Sequence, residues 1–69
     1  MSGMKVFING EAREISKSVK LTELLTDFSL PNERIAIELN KEVVRKKDWE
    51  TITINDLDRI EIVHFVGGG

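Results

Sequence analysis

One stretch of the chain has the spacing of an amphipathic helix, while the stretches on either side of it alternate as strands do. Four apolar residues recur at positions i, i+3, i+4 and i+7, which puts them on one face of a helix. These residues are Leu21, Leu24, Leu25 and Phe28. Ser18 is the nearest residue of a good capping type, and Glu23 would suit the first turn. Pro31 cannot continue a helix, so we expect it to end near Ser29.

A β-hairpin is predicted before this helix. Residues 4–8 are rich in strand formers, and Asn9-Gly10 follows them, a dipeptide that tolerates the positive φ angles of a two-residue turn. The return strand, about residues 11–16, has only Ala12 and Ile15 as apolar anchors, so its register depends on the turn and on the first strand.

Further strands are predicted after the helix. Ile35, Ile37 and Leu39 alternate with other residues, and a short Val43-Val44 segment follows the Asn40-Lys41 turn. Trp49 with Ile52 and Ile54 suggests another short strand. Ile60 and Ile62 begin a last strand that runs into Phe65 and the terminal glycines.

This order predicts an α+β fold, the ubiquitin-like β-grasp, in which a mixed sheet of four to five strands packs on one main helix. The final strand should lie beside the first. A ferredoxin-like fold would need a second helix, and residues 44–50 lack an apolar stripe that could supply one. We expect a β-grasp domain over residues 1–64 and a flexible tail over residues 65–69.

Composition narrows the classes of function. A chain of 69 residues is too short to favour a large internal cleft, and it has no apolar run long enough for a membrane span. It contains no cysteine, which excludes disulfides and thiolate nucleophiles, and the polar Asn9-Gly10 turn comes too early for a secretion signal. The net charge of -2 provides no concentrated positive field that could bind the phosphates of nucleic acid. The basic run 45–47 is expected to be a solvated loop. We expect a cytoplasmic protein that binds neither nucleic acid nor membrane.

Three glycines, Gly67, Gly68 and Gly69, follow the last strand without a linker. Such a run is often a frayed end, but here an unobstructed backbone extends directly from the fold, narrow enough to enter an enzyme active site. The reactive group would be the carboxylate of Gly69. A carboxylate needs activation, for which transfer to AMP is the natural route, and no phosphate-binding loop is present in this chain. ATP would therefore be bound by a partner, and this chain would be a substrate without a bound cofactor or metal.

The stretch from Ile60 to Gly69, Ile-Glu-Ile-Val-His-Phe-Val-Gly-Gly-Gly, resembles the ThiS family, the sulfur carriers of bacterial thiazole formation. The resemblance spans the chain from Met4. It implies that an E1-like enzyme adenylates Gly69, and that a sulfur-relay protein or cysteine desulfurase supplies the sulfur of a thiocarboxylate. Thiazole synthase would then receive that sulfur for thiamine. Gly68 would be the penultimate glycine of the tail.

Terminal glycines are shared with other carriers, so other functions fit the same sequence. The main alternative is a carrier like the small subunit of molybdopterin synthase. A ubiquitin-like modifier, which ends in an isopeptide bond, and a plain interaction domain with an inert tail are the others.

Alternation predicts an apolar patch beside the tail. If Val6 and Ile60 face the core, then Phe7, Val63 and Phe65 point to the opposite face, together with Ala36. Exposed apolar patches tend to be contact surfaces, so we predict that this one binds partners.

Two other conspicuous residues are assigned structural roles. His64 has no nucleophile or carboxylate at a fixed spacing, which favours a structural role over catalysis. Trp49 is expected to cover the core rather than to bind a ligand.

Overall fold

The computed structural model describes residues 3–65, which form seven strands, one α-helix and one turn of 3-10 helix. The strands are β1 (Met4–Ile8), β2 (Glu11–Ile15), β3 (Val19–Lys20), β4 (Ile35–Leu39), β5 (Glu42–Val44), β6 (Thr53–Ile54) and β7 (Arg59–His64). The helix α1 spans Leu21–Asp27, and the 3-10 helix spans Lys46–Asp48. No helix in the described part of the chain is long and apolar enough to cross a membrane.

The main sheet has five strands in the order β2-β1-β7-β4-β5. Strands β1 and β7 run parallel, and the other neighbours are antiparallel. The predicted neighbourhood of the first and last strands is therefore confirmed, as is the mixed sheet with one α-helix. A tail boundary at residue 65 stays a prediction, since residues 66–69 lie outside the described range.

The β1–β2 hairpin turns at Asn9-Gly10 as predicted, with φ angles of 50° and 84°. Asn9 also connects the hairpin to β7. Its backbone N–H donates to the Ile60 carbonyl at 2.9 Å, and its side-chain Oδ1 accepts the Ile62 N–H at 2.7 Å. The turn residue thus extends the ladder between β1 and β7 past the end of β1.

Helix α1 begins at Leu21, the first residue of the predicted apolar stripe, and Ser18 is not its cap. Lys20 occupies the N-cap position, and its backbone N–H donates to Glu23 Oε1 at 2.8 Å. Glu23 therefore lies in the first turn as expected, whereas the Ser18 hydroxyl faces the Asn55 side chain at 3.5 Å and caps nothing. The first helical turn depends on this carboxylate because Lys20 offers no side-chain acceptor.

The helix ends at Asp27, two residues before the predicted end. Ser29 adopts a left-handed φ of 55°, and its N–H donates to the Thr26 carbonyl at 3.0 Å. The Leu30 N–H donates to the Leu25 carbonyl at 2.7 Å. This pair of bonds is the Schellman ending, which stops the helix before Pro31 is reached.

The core lies between α1 and one face of the main sheet. Among residues 3–65, ten are buried in it: Val6, Ile8, Leu21, Leu24, Leu25, Ile35, Ile37, Trp49, Ile54 and Ile60. Trp49 is buried as expected, and its Nε1 donates to the Val44 carbonyl at 3.2 Å. It does not belong to the strand predicted around it, since it follows the 3-10 helix. That strand is only Thr53–Ile54, which pairs with β3 in a separate two-stranded sheet.

Replacing Asn9 tests its link between the hairpin and β7. Asn9→Ala removes the acceptor for the Ile62 N–H and leaves alanine in a left-handed conformation, at a cost of about 1 kcal/mol for each effect. We expect the free energy of unfolding in urea to fall by about 2 kcal/mol. Asn9→Asp keeps the acceptor and should retain most of the stability. Equal stability of the alanine variant and the parent would contradict this role.

Candidate functional site

The predicted reactive tail begins where the described part of the structure ends. Gly67, Gly68 and Gly69 lie outside residues 3–65, so the role assigned to Gly69 stays a prediction. The structure does describe β7, the strand that leads to this tail, and Phe65 directly after it.

Strand β7 occupies the centre of the main sheet, between β1 and β4. Along β4 the register runs from Leu39 opposite Ile60 to Ile35 opposite His64. One more hydrogen bond continues it, since the Phe65 N–H donates to the Arg34 carbonyl at 2.8 Å. The backbone is therefore held by the sheet up to residue 65, where the predicted tail begins.

The start of β7 is held by a side-chain network that the sequence patterns did not predict. Asp58 Oδ2 accepts the Asn55 N–H at 2.7 Å, and Asp58 Oδ1 accepts Asn40 Nδ2 at 3.0 Å. Asn40 Oδ1 in turn accepts the Arg59 N–H at 2.9 Å. The sequence shows only that Asn40 and Asp58 are residue types common in turns. Their contact could not be predicted because it joins two turns that are distant in the sequence.

Of the predicted partner-binding residues, Phe7 and Val63 lie on the outer face of the sheet, opposite the core, and Phe65 follows the end of β7. Phe7 pairs with Arg59 across β1 and β7, and its half-buried ring lies 4.8 Å from the Arg59 guanidinium carbon. Val63 pairs with Ala36 across β7 and β4 and is 55% exposed. Phe65, which continues the alternation, is 57% exposed.

The structure brings Val63 together with Ala36, but it keeps Phe7 apart from them. Arg59, which lies opposite Phe7, is four residues before Val63, which is roughly 13 Å along a strand. Glu61 lies between the two positions on the same face. The exposed apolar residues near the tail are thus Val63 and Phe65, whereas Phe7 is stacked against Arg59 at the other end of β7. Whether these residues bind partners stays a prediction.

Val43 and His64 are also exposed in this region. Val43, in β5, is 70% exposed and lies opposite Glu38, so it adds an apolar side chain to the outer face that the prediction did not include. His64 is exposed and lies opposite Ile35 at the end of β7.

Comparisons of the sequence and of the structure with known proteins point to the same family. The model of the ThiS family matches residues 6–69. The sulfur carrier protein ThiS of Bacillus subtilis is 43% identical over 49 residues, covering 71% of this chain and 74% of that protein. The crystal structure of the thiamine biosynthesis protein (ThiS) from Geobacter metallireducens superimposes with a TM-score of 0.85 at 32% identity. That match covers 96% of this chain and all of the other.

A third relative is much longer. The thiazole synthase of Paramagnetospirillum magneticum is 41% identical over 66 residues, which is 96% of this chain. The chain spans only 20% of the length of that protein.

The hydrogen bond at the base of the tail can be tested with two substitutions at one position. Phe65→Pro removes the N–H that donates to the Arg34 carbonyl, whereas Phe65→Ala removes the ring and keeps the donor. We expect the proline variant to be about 1 kcal/mol less stable than the alanine variant in urea unfolding. Its amide hydrogens at the end of β7 should also exchange faster. Equal stability and exchange in both variants would show that this bond does not hold the base of the tail.

Proposed function

Because the chain belongs to the ThiS family, we propose that it is a sulfur carrier of thiamine biosynthesis and that its working group is the carboxylate of Gly69. In this proposal the chain is a co-substrate of other enzymes and not a catalyst. It accepts sulfur as a thiocarboxylate and delivers it to a thiazole synthase.

The observation that carries the proposal is the extent of the family match. It runs from residue 6 through residue 69 and so includes β7 and the three glycines. The fold supports it: β7 is central in the sheet, and its hydrogen bonds reach Phe65. A reactive arm needs a fixed base if its end is to reach a defined point in a partner, because ordering a loose segment costs entropy on binding.

The chemistry requires partners because a carboxylate is a poor electrophile. Attack of a Gly69 oxygen on the α-phosphorus of ATP forms an acyl-adenylate and releases pyrophosphate. A persulfide sulfur then attacks the acyl carbon and displaces AMP, and a second thiol reduces the acyl disulfide to the thiocarboxylate. The chain has no cysteine, so both sulfur groups belong to partners, and it has no phosphate-binding loop, so we place the ATP site in a partner as well. We propose that these partners are an E1-like adenylating enzyme and a cysteine desulfurase or sulfur-relay protein.

Thiazole synthase as the acceptor is supported by the long relative. In a protein named for that activity, a segment similar to nearly the whole of this chain accounts for a fifth of the length. The exposed face of β7 is where we propose that partners bind. Val63 and Phe65 would contact them beside the tail, and Phe7 would do so from beneath Arg59.

Intact-mass measurement tests the sulfur carrier directly. The protein ending at Gly69 is incubated with ATP, cysteine, a cysteine desulfurase and the cognate adenylating enzyme. We expect a mass increase equal to the replacement of one oxygen by sulfur, because the thiocarboxylate differs from the acid by that atom.

A variant that lacks Gly68 and Gly69 should gain no sulfur, whereas one that lacks residues 1–3, far from the tail in sequence, should be charged like the parent. If the parent keeps the mass of the free acid while a known carrier is charged alongside it, the proposal fails. Covalent ladders on denaturing gels would instead indicate a protein modifier.

The contact role of the outer face is tested with glutamate substitutions. Val63→Glu places a charge beside the tail, and Phe7→Glu also removes the ring beneath Arg59. Each should slow adenylation by about tenfold, equivalent to ~1.4 kcal/mol of lost interaction.

Val43→Glu is the matched control, since it is an exposed valine on the same face but in the edge strand β5. It should react at the parent rate. Adenylation of folded Val63→Glu and Phe7→Glu at the parent rate would remove the proposed contact surface.

A further inference from the structure

The outer face of the main sheet is not covered by any other part of residues 3–65. Helix α1 and the buried side chains of β1, β4 and β7 form the core on the other side. Strand β7 lies at the centre of the five-stranded sheet, and its three residues on this face, Arg59, Glu61 and Val63, are all exposed. A central strand with an open face offers a rigid surface to a partner.

Two carboxylates oppose each other at the middle of this face. Glu38 of β4 and Glu61 of β7 are direct cross-strand partners. Like charges in that arrangement repel, at a cost of some tenths of a kcal/mol. Neither forms an ion pair within the described range, where the ion pairs are Arg13 with Glu11 and Lys47 with Asp48. Within residues 3–65 no ion pair therefore offsets this repulsion, although Lys41 and Arg59 line the same hollow as the two glutamates.

The charges and apolar groups follow a fixed order along β7. Arg59 and Lys41 lie at one end of a shallow hollow of about 510 Å³, Glu38 and Glu61 line its middle, and Val63 closes it toward the tail. The guanidinium of Arg59 lies over the Phe7 ring, and within residues 3–65 it forms no ion pair with Glu61. Along β7 toward the tail, the side chains of this face are therefore first basic, then acidic, then apolar.

We propose that this face binds a thiazole synthase through a cationic side chain, arginine or lysine, that enters between Glu38 and Glu61. An apolar side chain of the same partner then packs on Val63. The proposal rests on the sulfur-carrier function above and adds the charge that the partner must present. Two carboxylates in register match the forked donors of a guanidinium, and a complementary charge order fixes the orientation in which the tail meets the partner.

The test measures how fast the chain associates with its cognate thiazole synthase. Glu38→Gln combined with Glu61→Gln removes both charges and keeps the side-chain shape. We expect association to slow by about 3- to 10-fold at low ionic strength, with the difference vanishing near ~0.5 M salt, because exposed charges are then screened.

The matched control is Asp27→Asn combined with Glu50→Gln, which changes the net charge equally on the helix side of the molecule. It should leave the association rate within twofold of the parent. Equal rates for the two double variants, at low salt, would overturn the proposal. So would a loss of rate that persists unchanged in high salt.

Two further measurements distinguish this proposal from a role of the pair in stability and from binding of the adenylating enzyme. The melting temperature of the Glu38/Glu61 double variant should stay level or rise, because a repulsion is removed; a fall of several degrees would mean that the pair stabilises the fold and would overturn the proposal. Adenylation is measured in the same variant, because Phe7 and Val63 on this face are also proposed to contact the adenylating enzyme. A defect in adenylation without one in synthase binding would assign the pair to the adenylating enzyme and overturn the proposal. Failure of the parent to acquire sulfur would refute the carrier function, whereas the synthase association rates decide the charge pairing separately.

Discussion

The parallel pairing of the last strand with the first is the interaction on which this molecule depends. Asn9 ties the two together through its own N–H and through its side chain, which accepts the N–H of a residue 53 positions away. A contact between residues so far apart in the sequence carries a large loop-closure cost, which the remaining contacts of the sheet must offset. Strand β7 therefore lies in the middle of the sheet and is held on both sides. A segment near a chain terminus that lacks such neighbours tends to fray.

The two faces of that sheet have different tasks. The inner face supplies apolar side chains to the core that packs against α1. The outer face is not needed for packing, so it can hold groups that a core could not: an arginine over Phe7, two opposed carboxylates and an exposed Val63. The proposed contact surface is thus part of a sheet, and it lies on the strand that leads to the last residues of the sequence.

Much of the fold follows from local patterns. The Asn9-Gly10 turn, the apolar stripe of α1, and the alternation in β4 and β7 are all local features, and each predicted element is present. The errors concern features without a local signal. Strands β3 and β6 have only two residues each, too few for a period, and they form because they pair with each other. The helix ends earlier than predicted because Ser29 adopts a left-handed conformation, which cannot be predicted from a serine in the sequence.

The sequence by itself determined which face of the sheet each residue of β1 and β7 occupies, because alternation is a property of the strand backbone alone. Phe7 and Val63 were therefore assigned to one face correctly, and the three glycines that end the sequence indicated the kind of chemistry to expect. Only the tertiary structure decided the distances between these residues. Register between strands depends on hydrogen bonds between remote segments, and it places Phe7 beneath Arg59, Val63 beside Ala36, and Glu38 directly opposite Glu61.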